Sequence, residues 1–522
     1  MVLSIPMARL FRNIVVVSAS TIGSRITGLV RDMVVFSLLG TGAMNSAFIT
    51  AFTLPNLFRR LLGEGALTSA VIPVFSDELE KGGRPGAFAL LNQVLSWLAL
   101  VLTALVLLLG GVCSLVHFIP NLEERWYTGA DLAIVLMPYM LLICQAAIIA
   151  AALNALEYFA LTALSQVWLN LAMILGIGGF GWLFADTAES RVGWLCAGVL
   201  VGGILQVVVP GWGLKRAGWH IRFTLHRSER LRQVITLFLP GVAGAAIIQV
   251  NNTVSRLLAF GLNEQAVSIL YLANRLIELP LGIFATAITT VLFPAMARAA
   301  SRGDKAGFAT QFQQGTRLII AITTPAAVGL AVLGEPIIAL LFKYGAFKSA
   351  DVTATLAPLA IFALALPLYG YATLATRGFH ALKDTRYPVR VAVSNFTVNL
   401  ILSIALMYPM GMNGLAWANT IANVVQCALL GRELGMRDPA LGFAPITKAI
   451  YQILIAAASM GTVVYAAQWL MITLFGTSRL VCAVELIVLI PLGVGLYYLV
   501  LRWLRFSELD ALHQLVRKIT RR

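Results

Sequence analysis

Four arginines and two acidic residues stand among apolar residues near the start of the chain, between residues 24 and 73. They are Arg25, Arg31, Asp32, Arg59, Arg60 and Glu64. Because an arginine inside a membrane costs about 2.5 to 3.5 kcal/mol on insertion scales, four of them cost on the order of 10 kcal/mol. Such residues must face one another or a polar cavity. An excess of buried positive charge predicts that this cavity binds an anion.

The first group of charges follows a stripe of small residues on the first predicted helix. Ser24 belongs to this stripe, which lets a neighbouring helix approach closely, and Arg31 continues it. Arg25 and Asp32 are seven residues apart and point to nearly the same face, so they could pair. Asp32 could instead neutralise a charge on another helix.

The second group lies on the next predicted helix, where Asn56, Arg60 and Glu64 form a polar ridge with Arg59 beside Asn56. Arg60 and Glu64 are four residues apart and could form a local ion pair that lowers the insertion cost. Both would then only support the site. The other arginines of this region still outnumber the acids beside them.

Arg275 is the corresponding candidate in the second half of the chain. It lies about one turn before Pro280, a natural break point of a helix, and Glu278 follows three residues later. The sequence leaves open whether Arg275 is closed on Glu278 or binds a ligand. Arg256, near the outer end of its helix, is predicted to extend its charge to the membrane surface.

Motifs for catalysis and metal binding are missing from the sequence. The five cysteines are scattered without a C-x-x-C pair, and the five histidines form no H-E-x-x-H motif. No phosphate-binding loop of an ATPase is present. We therefore predict a protein that is not an enzyme and needs no cofactor. Asn395 and Asn399, four residues apart, together with Asn419 and Thr420 on the next helix, could join helices or form a cation site, for which Asn395, Asn399 and Thr420 are the candidates.

The composition is that of a membrane protein, since 59% of the 522 residues are hydrophobic and only 12% are charged. A spanning helix needs about 20 apolar residues. Runs of this length predict an all-α fold with about fourteen spanning helices and no cleaved signal peptide. Their approximate bounds are 13–39, 45–73, 88–118, 130–156, 159–184, 192–213, 231–261, 265–297, 315–342, 352–376, 387–408, 412–431, 446–474 and 479–501.

The net charge of +15 reflects membrane topology and does not indicate nucleic acid binding. With the N-terminus inside, 27 of the 38 Lys and Arg residues lie in inner loops and termini, and five lie in outer loops. This asymmetry predicts a multi-pass protein of the bacterial plasma membrane with both termini in the cytoplasm. Anionic lipid is the expected partner of the inner charges.

An internal repeat divides the predicted helices. Residues 65–73 align without gaps with residues 286–294, and a basic-glycine pair follows each copy, Lys81-Gly82 and Arg302-Gly303. We predict two parallel six-helix lobes, two added helices and a basic amphipathic tail. Their bounds are 1–214, 215–434, 435–501 and 502–522.

Five short motifs are spread over both halves of the chain. They are Ser24-Arg25-Ile-Thr-Gly28-Leu-Val-Arg31-Asp32, Leu54-Pro-Asn-Leu-Phe-Arg59-Arg60, Glu64-Gly-Ala66, Tyr271-Leu-Ala-Asn-Arg275-Leu and Leu292-Phe-Pro294. Together they resemble the signature of the MurJ (MviN) family of lipid II flippases. The resemblance covers essentially the whole chain.

The resemblance implies a member of the multidrug/oligosaccharidyl-lipid/polysaccharide exporter superfamily. Such a protein moves lipid II, the undecaprenyl-diphosphate-linked peptidoglycan precursor, from the inner to the outer leaflet. It implies that Arg25, Arg31, Arg59 and Arg275 line a central cavity. It also implies that residues 446–501 form a groove for the lipid tail, and that cell-wall synthesis proteins are further partners.

Two positions depart from the family pattern. Asn45-Ser46 stands where the family often has Thr-Asp, and Asn274 stands where it often has Asp before the arginine. The loss of two acids makes the cavity more positive. Some members bind sodium in the second lobe, but the matching positions here, Asn395, Asn399 and Thr420, include no acid. Coupling to Na⁺ is thus open.

From the charge surplus we predict alternating access driven by the membrane potential, with the diphosphate held between the lobes and the tail in lipid. A cation exporter would line its cavity with acids, so a drug exporter is disfavoured. The alternatives are an exporter of another polyprenyl-linked saccharide and, from a different class, a non-transporting scaffold for cell-wall enzymes.

Overall fold

The computed structural model of the chain describes residues 7–61 and 67–509. All regular elements within these ranges are helices, and no strand occurs among them. Lipid offers no partners to backbone polar groups, and a helix satisfies these groups internally. The predicted all-α membrane fold is confirmed for the described residues.

The first half of the described chain contains ten α-helices, and a π-helical turn, Ile174–Phe180, joins the seventh to the eighth. They are α1 (Met7–Leu39), α2 (Ala43–Phe58), α3 (Leu67–Lys81), α4 (Gly83–Ser114), α5 (Glu124–Ala155), α6 (Phe159–Ala163), α7 (Ser165–Met173), α8 (Gly181–Phe184), α9 (Ala188–Arg216) and α10 (Glu229–Leu262).

The second half of the described chain contains ten more, and a second π-helical turn, Leu281–Ala285, joins the first two of them. They are α11 (Ala266–Pro280), α12 (Thr286–Ser301), α13 (Lys305–Val332), α14 (Gly334–Phe342), α15 (Ser349–Leu364), α16 (Leu366–Ala381), α17 (Arg386–Met410), α18 (Met412–Arg437), α19 (Thr447–Phe475) and α20 (Arg479–Trp503).

Ten helical stretches of the described chain are long and apolar enough to cross a membrane. The other predicted segments, at 13–39, 45–73, 231–261 and 412–431, are also helical wherever the structure describes them. Helix formation is therefore confirmed in all the predicted segments, while the count of fourteen crossings stays a prediction.

The two copies of the repeat form two helices that share a proline inside the helix and a basic-glycine pair at its end. Pro73 lies inside α3 and Pro294 lies inside α12. Both helices then end at the basic-glycine pair: Lys81 is the last residue of α3, and Arg302 is the C-cap of α12. The matched sequence thus specifies matched local structure.

A proline precedes each copy of the repeat. Pro280 ends α11 and is followed at once by the π-helical turn, so the predicted break in the α-helix is confirmed there. Pro55 lies inside α2, which continues to Phe58 and is then followed by a π-helical stretch at residues 59–61.

The described residues form two compact units. The first runs to Ser268 and includes the loop Tyr344–Phe347, and the second comprises Ile269–Lys343 and the chain from Lys348 onward. This division assigns α10 to the first unit, where it packs against α3 and α2. The sequence predicts that α10 is the first helix of the second lobe. This assignment of α10 to the second copy of the repeat stays a prediction.

The core of the first unit lies where α3, α4 and α5 meet α9 and α10. Phe75, Leu91 and Ile148 are fully buried there. At the edge of this cluster, the indole of Trp219 donates to Oδ1 of Asn92 at 3.0 Å, which ties the segment after α9 to α4. Apolar packing thus holds five helices together.

The second unit has two apolar clusters. One joins α12, α13, α16 and α18 around Phe312 and Phe379. The other fixes α19 and α20 on α13 through Ile453 and Leu489, and the hydroxyl of Tyr497 donates to the carbonyl of Ala321 at 2.7 Å. The two added helices are therefore an integral part of this unit.

The tail predicted from residue 502 is described only to residue 509. Helix α20 ends at Trp503, and the chain then turns. Phe506 and Leu509 are buried in the second cluster, and Glu508 forms an ion pair with Arg317 at 2.8 Å. The amphipathic pattern beyond Leu509 lies outside the described residues.

A carboxylate outside the apolar segments gives a test of this packing. Asp384, in the loop between α16 and α17, accepts a hydrogen bond from the guanidinium of Arg437 at the end of α18. This bond, with one from the backbone N–H of Tyr387, lowers the pKa of Asp384 below its ordinary value. A depressed folded-state pKa contributes stability that is present above the unfolded pKa and is lost as the pH falls through the folded one.

We expect Asp384→Asn to lower the free energy of unfolding by up to about 1 kcal/mol at pH 7. The difference from wild type should shrink as the pH falls below about 4. Denaturation of the detergent-solubilised protein at several pH values measures both. Asp186→Asn, at an exposed carboxylate before α9, is the matched control. A deficit that is independent of pH, or equal for both variants, would contradict the assignment.

Candidate functional site

Arg31 lies buried where α1 packs against α7. Its Nε and Nη2 donate to Oδ1 of Asp32 at 3.0 and 2.6 Å, and its Nη1 donates to Oδ1 of Asn170 at 3.1 Å. Arg31 is 9% exposed and Asp32 is 3% exposed. The ion pair and the amide together offset the cost of removing a guanidinium from water.

Asn170 is a site residue that the sequence analysis missed. It is fully buried on α7, and its Nδ2 donates to the carbonyl of Ser24 and to Oγ1 of Thr27, both at 3.2 Å. The amide thus accepts from one residue of α1 and donates to two others. The only signal in the sequence is a single asparagine in an apolar run, which does not identify its partner.

The structure gives Asp32 a partner that the sequence analysis did not consider, its chain neighbour Arg31. Arg25, two turns earlier on α1, is half-buried. The acid neutralises one arginine whichever it contacts, so this pairing leaves the excess of arginines over acids in this region as the sequence gives it.

Arg59 directly follows α2, and its Nε donates to Oδ1 of Asn56 at 2.8 Å. The predicted proximity of Arg59 and Asn56 is therefore confirmed. Arg60 is exposed. Glu64 lies outside the described residues, so the ion pair predicted between Arg60 and Glu64 stays a prediction.

Arg256 of α10 contacts α2. Its Nη1 donates to Oγ1 of Thr53 at 2.7 Å, and Thr53 is buried. The guanidinium of Arg256 is thus used in a contact between helices, and the extension of its charge to the membrane surface stays a prediction.

Ser46 lies in a network of neutral hydrogen bonds at the start of α2. It is fully buried, and its Oγ is 3.2 Å from Oγ of Ser268, which in turn donates to the carbonyl of Thr41. Next to it, Nδ2 of Asn45 donates to the carbonyl of Gly40 at 2.6 Å. Ser46, which stands where the family often has an acid, thus links helix ends through neutral hydrogen bonds.

Arg275 of α11 is half-buried and donates through Nη1 to Oε2 of Glu278 at 3.2 Å. The other carboxylate oxygen, Oε1, accepts from Nδ2 of Asn274 at 3.3 Å. Of the two possibilities for Arg275, pairing with Glu278 is confirmed. Contact between Arg275 and a ligand stays a prediction.

The three polar residues considered as a cation site hold hydrogen bonds that fit a structural role. Asn395 of α17 donates to Oε1 of Gln426 on α18 at 3.0 Å, and Thr420 of α18 donates to the carbonyl of Ile361 on α15 at 3.2 Å. Asn399 accepts from Ser403 one turn away at 3.5 Å. Within the described ranges, no group of three His, Cys, Asp or Glu residues could hold a metal ion.

The hydrogen bonds of Arg31 allow a test that separates the contribution of its charge to stability from the contribution of its packing. Removal of one partner of a buried ion pair leaves an uncompensated charge, so we expect Asp32→Asn to cost about 3 to 5 kcal/mol of stability. The double variant Arg31→Met with Asp32→Leu should recover most of this loss. Thermal denaturation in detergent measures both variants.

Glu189→Gln, at an exposed acid in the first turn of α9, serves as the control for that measurement and should leave stability unchanged. If the double variant is no more stable than Asp32→Asn, the pair is not an independent buried unit.

Comparison with known proteins agrees with these motifs. The family model "Lipid II flippase MurJ" matches residues 35–485. A "Probable lipid II flippase MurJ" from Rhizobium meliloti strain 1021 is 31% identical over 521 residues, which cover 98% of this chain and 96% of the relative. A protein of the same name from Vibrio cholerae is 30% identical over 536 residues, which cover 96% and 98%.

Solved structures support the same fold. "Lipid II flippase MurJ, inward closed conformation" matches with a TM-score of 0.76 at 24% identity, covering 95% of this chain and all of that one. A multidrug resistance MATE family transporter of the MOP superfamily matches at 0.65 and 14% identity, covering 80% and 95%. These structures share the fold. The chain is a multi-pass inner-membrane protein and belongs to the MurJ family.

Proposed function

We propose that this chain is a lipid II flippase, which moves the undecaprenyl-diphosphate-linked peptidoglycan precursor from the inner to the outer leaflet by alternating access. The observation that carries the proposal is a match to the family over most of the chain, together with arginines at all the motif positions. Transport changes no covalent bond in the cargo, in keeping with a chain that has no catalytic motif.

The arginines take two roles in this proposal. Arg25, Arg59 and Arg275 are half-buried, so their guanidinium groups can reach a ligand, and each can bind a phosphate with two parallel hydrogen bonds. Arg31 already donates to Asp32 and Asn170 and is buried. Because Asp32 balances its charge, Arg31 supports the site by fixing α1 on α7.

The lipid tail would lie against α19 and α20. One face of this helix pair packs on α13, and the other exposes large apolar side chains such as Tyr451, Trp469 and Ile487. A polyprenyl chain is fully apolar, so it can lie against this face without burying a polar group. Only the charged headgroup would then need the arginines.

The driving force follows from charge. The diphosphate carries about two negative charges, and their movement outward is favoured by about 2.3 kcal/mol per charge for each 100 mV of inside-negative potential. The same field favours return of the emptied, positive site. We propose that the membrane potential drives the cycle, with coupling to Na⁺ as the alternative that the experiment below distinguishes.

The remaining elements of the proposal concern topology and partners. Both termini lie in the cytoplasm, since this orientation places most Lys and Arg residues on the inner side. Anionic lipid binds these inner charges, and proteins of cell-wall synthesis receive the cargo on the outer side.

We expect Arg59→Ala and Arg275→Ala to abolish growth of a strain depleted of its own flippase, with protein levels unchanged. Loss of a charge-assisted hydrogen bond costs about 1.5 to 3 kcal/mol, or about a tenfold or greater loss of binding. Binding of lipid II and of a diphosphate-free analogue to the purified variants measures this loss directly.

Arg222→Ala, at an exposed arginine in the loop before α10, is the matched control and should support growth. Normal growth of both site variants would remove these arginines from the site and favour a non-transporting scaffold. Equal binding of lipid II and another polyprenyl-linked saccharide would favour a broader exporter.

Dependence on potential is tested in vesicles that contain the purified protein. With the potential clamped at zero and no ion gradients, we expect no net accumulation of outward-facing precursor, and imposing 100 mV should bias the distribution by about 4 to 5 kcal/mol for two charges. Accumulation at the full rate without a potential would refute this version. Accumulation that follows a Na⁺ gradient at zero potential would support ion coupling instead.

A further inference from the structure

A polar pocket lies in the second unit, where the start of α20 meets α14 and the start of α15. Its volume is about 160 Å³, and the end of α19 and the α19–α20 turn complete its wall. The predicted topology places this end of the unit on the outer side of the membrane. None of the four arginines assigned to the diphosphate lines it, although four of its lining residues, Ile472, Thr477, Cys482 and Glu485, come from the stretch 446–501 that is proposed to hold the lipid tail.

Glu485 of α20 is the unusual residue of this pocket. It is 2% exposed and lines the cavity, yet its carboxylate makes no hydrogen bond or ion pair with any residue that the structure describes. A buried carboxylate without a partner costs several kcal/mol. A side chain placed this way is explained by a ligand that enters the cavity.

The rest of the lining indicates the chemistry of that ligand. A second carboxylate, Glu335 of α14, lines the same cavity, as do the hydroxyl groups of Ser349, Thr353 and Thr477. Carboxylate and hydroxyl oxygens are the ligands of hard cations. The single thiol, from Cys482, and the lack of histidine do not suit a soft or transition metal.

Charge balance favours a divalent ion. The buried carboxylate of Glu485 and the exposed carboxylate of Glu335 line one cavity and repel one another, and a single proton neutralises only one of them. A doubly charged cation neutralises both. Lys343 also lines the pocket, but its ammonium forms no ion pair with either carboxylate in the described structure.

We propose that this pocket binds a hard divalent cation, Ca²⁺ or Mg²⁺, through Glu485 and Glu335. The two acids come from α20 and α14, which pack together, so the bound ion fixes the start of the added helix pair within the second unit. This site does not depend on the identity of the lipid cargo.

The test uses the full chain in detergent, stripped of metal and transferred to a buffer without Na⁺. Addition of Ca²⁺ or Mg²⁺ between about 0.1 and 10 mM should raise the melting temperature by about 2 °C. Equilibrium dialysis with radioactive calcium should find about one ion per chain. Glu485→Gln, which keeps the shape of the side chain, should abolish both effects.

Three further variants complete the test. Glu335→Gln, at an exposed position on the rim, should weaken binding by about tenfold and remains informative if the Glu485 variant fails to fold. Lys343→Ala should tighten binding because it removes a competing positive charge. Glu189→Gln, outside the pocket, should bind as wild type does.

The proposal is overturned if wild type shows no shift, if Glu485→Gln shows the same shift, or if Na⁺ at equal ionic strength reproduces the shift. Weaker calcium binding by Lys343→Ala would overturn the stated arrangement of charges as well. Failure of any of these leaves the proposed headgroup site unaffected, since none of Arg25, Arg31, Arg59 and Arg275 lines the pocket.

Discussion

The structure depends on one constraint: a charge that lies among membrane helices must have a partner, and the position of that partner decides what the charge can do. Arg31 meets the constraint through Asp32 and, across a helix interface, through Asn170. Arg317 meets it through Glu508, beyond the last helix. In both cases the cost of burial is offset by a bond that also fixes one element against another.

A second group of arginines meets the same constraint locally. Arg59 uses Asn56, three residues earlier, and Arg275 uses Glu278, three residues later. Each of these two contacts lies along one stretch of chain, whereas the bonds of Arg31 to Asn170 and of Arg256 to Thr53 join two helices. In the proposed cycle, exchange of a local contact for a phosphate disturbs helix packing less than exchange of a contact between helices would.

The sequence predicts the local features of this structure and misses those that arise from tertiary contact. Helices, the break at Pro280 and the Arg275–Glu278 pair all follow from spacing along the chain. The partners Asn170 and Thr53 do not, because each is a single polar residue whose neighbour is set by packing. Glu485 was missed for the same reason: one acid in an apolar helix carries no signal until the pocket around it is known.

Two positions where the family often has an acid, Ser46 and Asn274, are neutral in this chain. This difference bears on whether transport can be coupled to an ion. Asn274 donates to Glu278, so an aspartate there would place two carboxylates within hydrogen-bonding distance and would need a proton or a cation between them. Ser46 likewise lies in a neutral network with Ser268. In this chain neither position requires an ion, because hydroxyl and amide groups already satisfy their neighbours. In the proposed cycle driven by the membrane potential, the charge that responds to the potential then comes from the arginines and from the cargo itself.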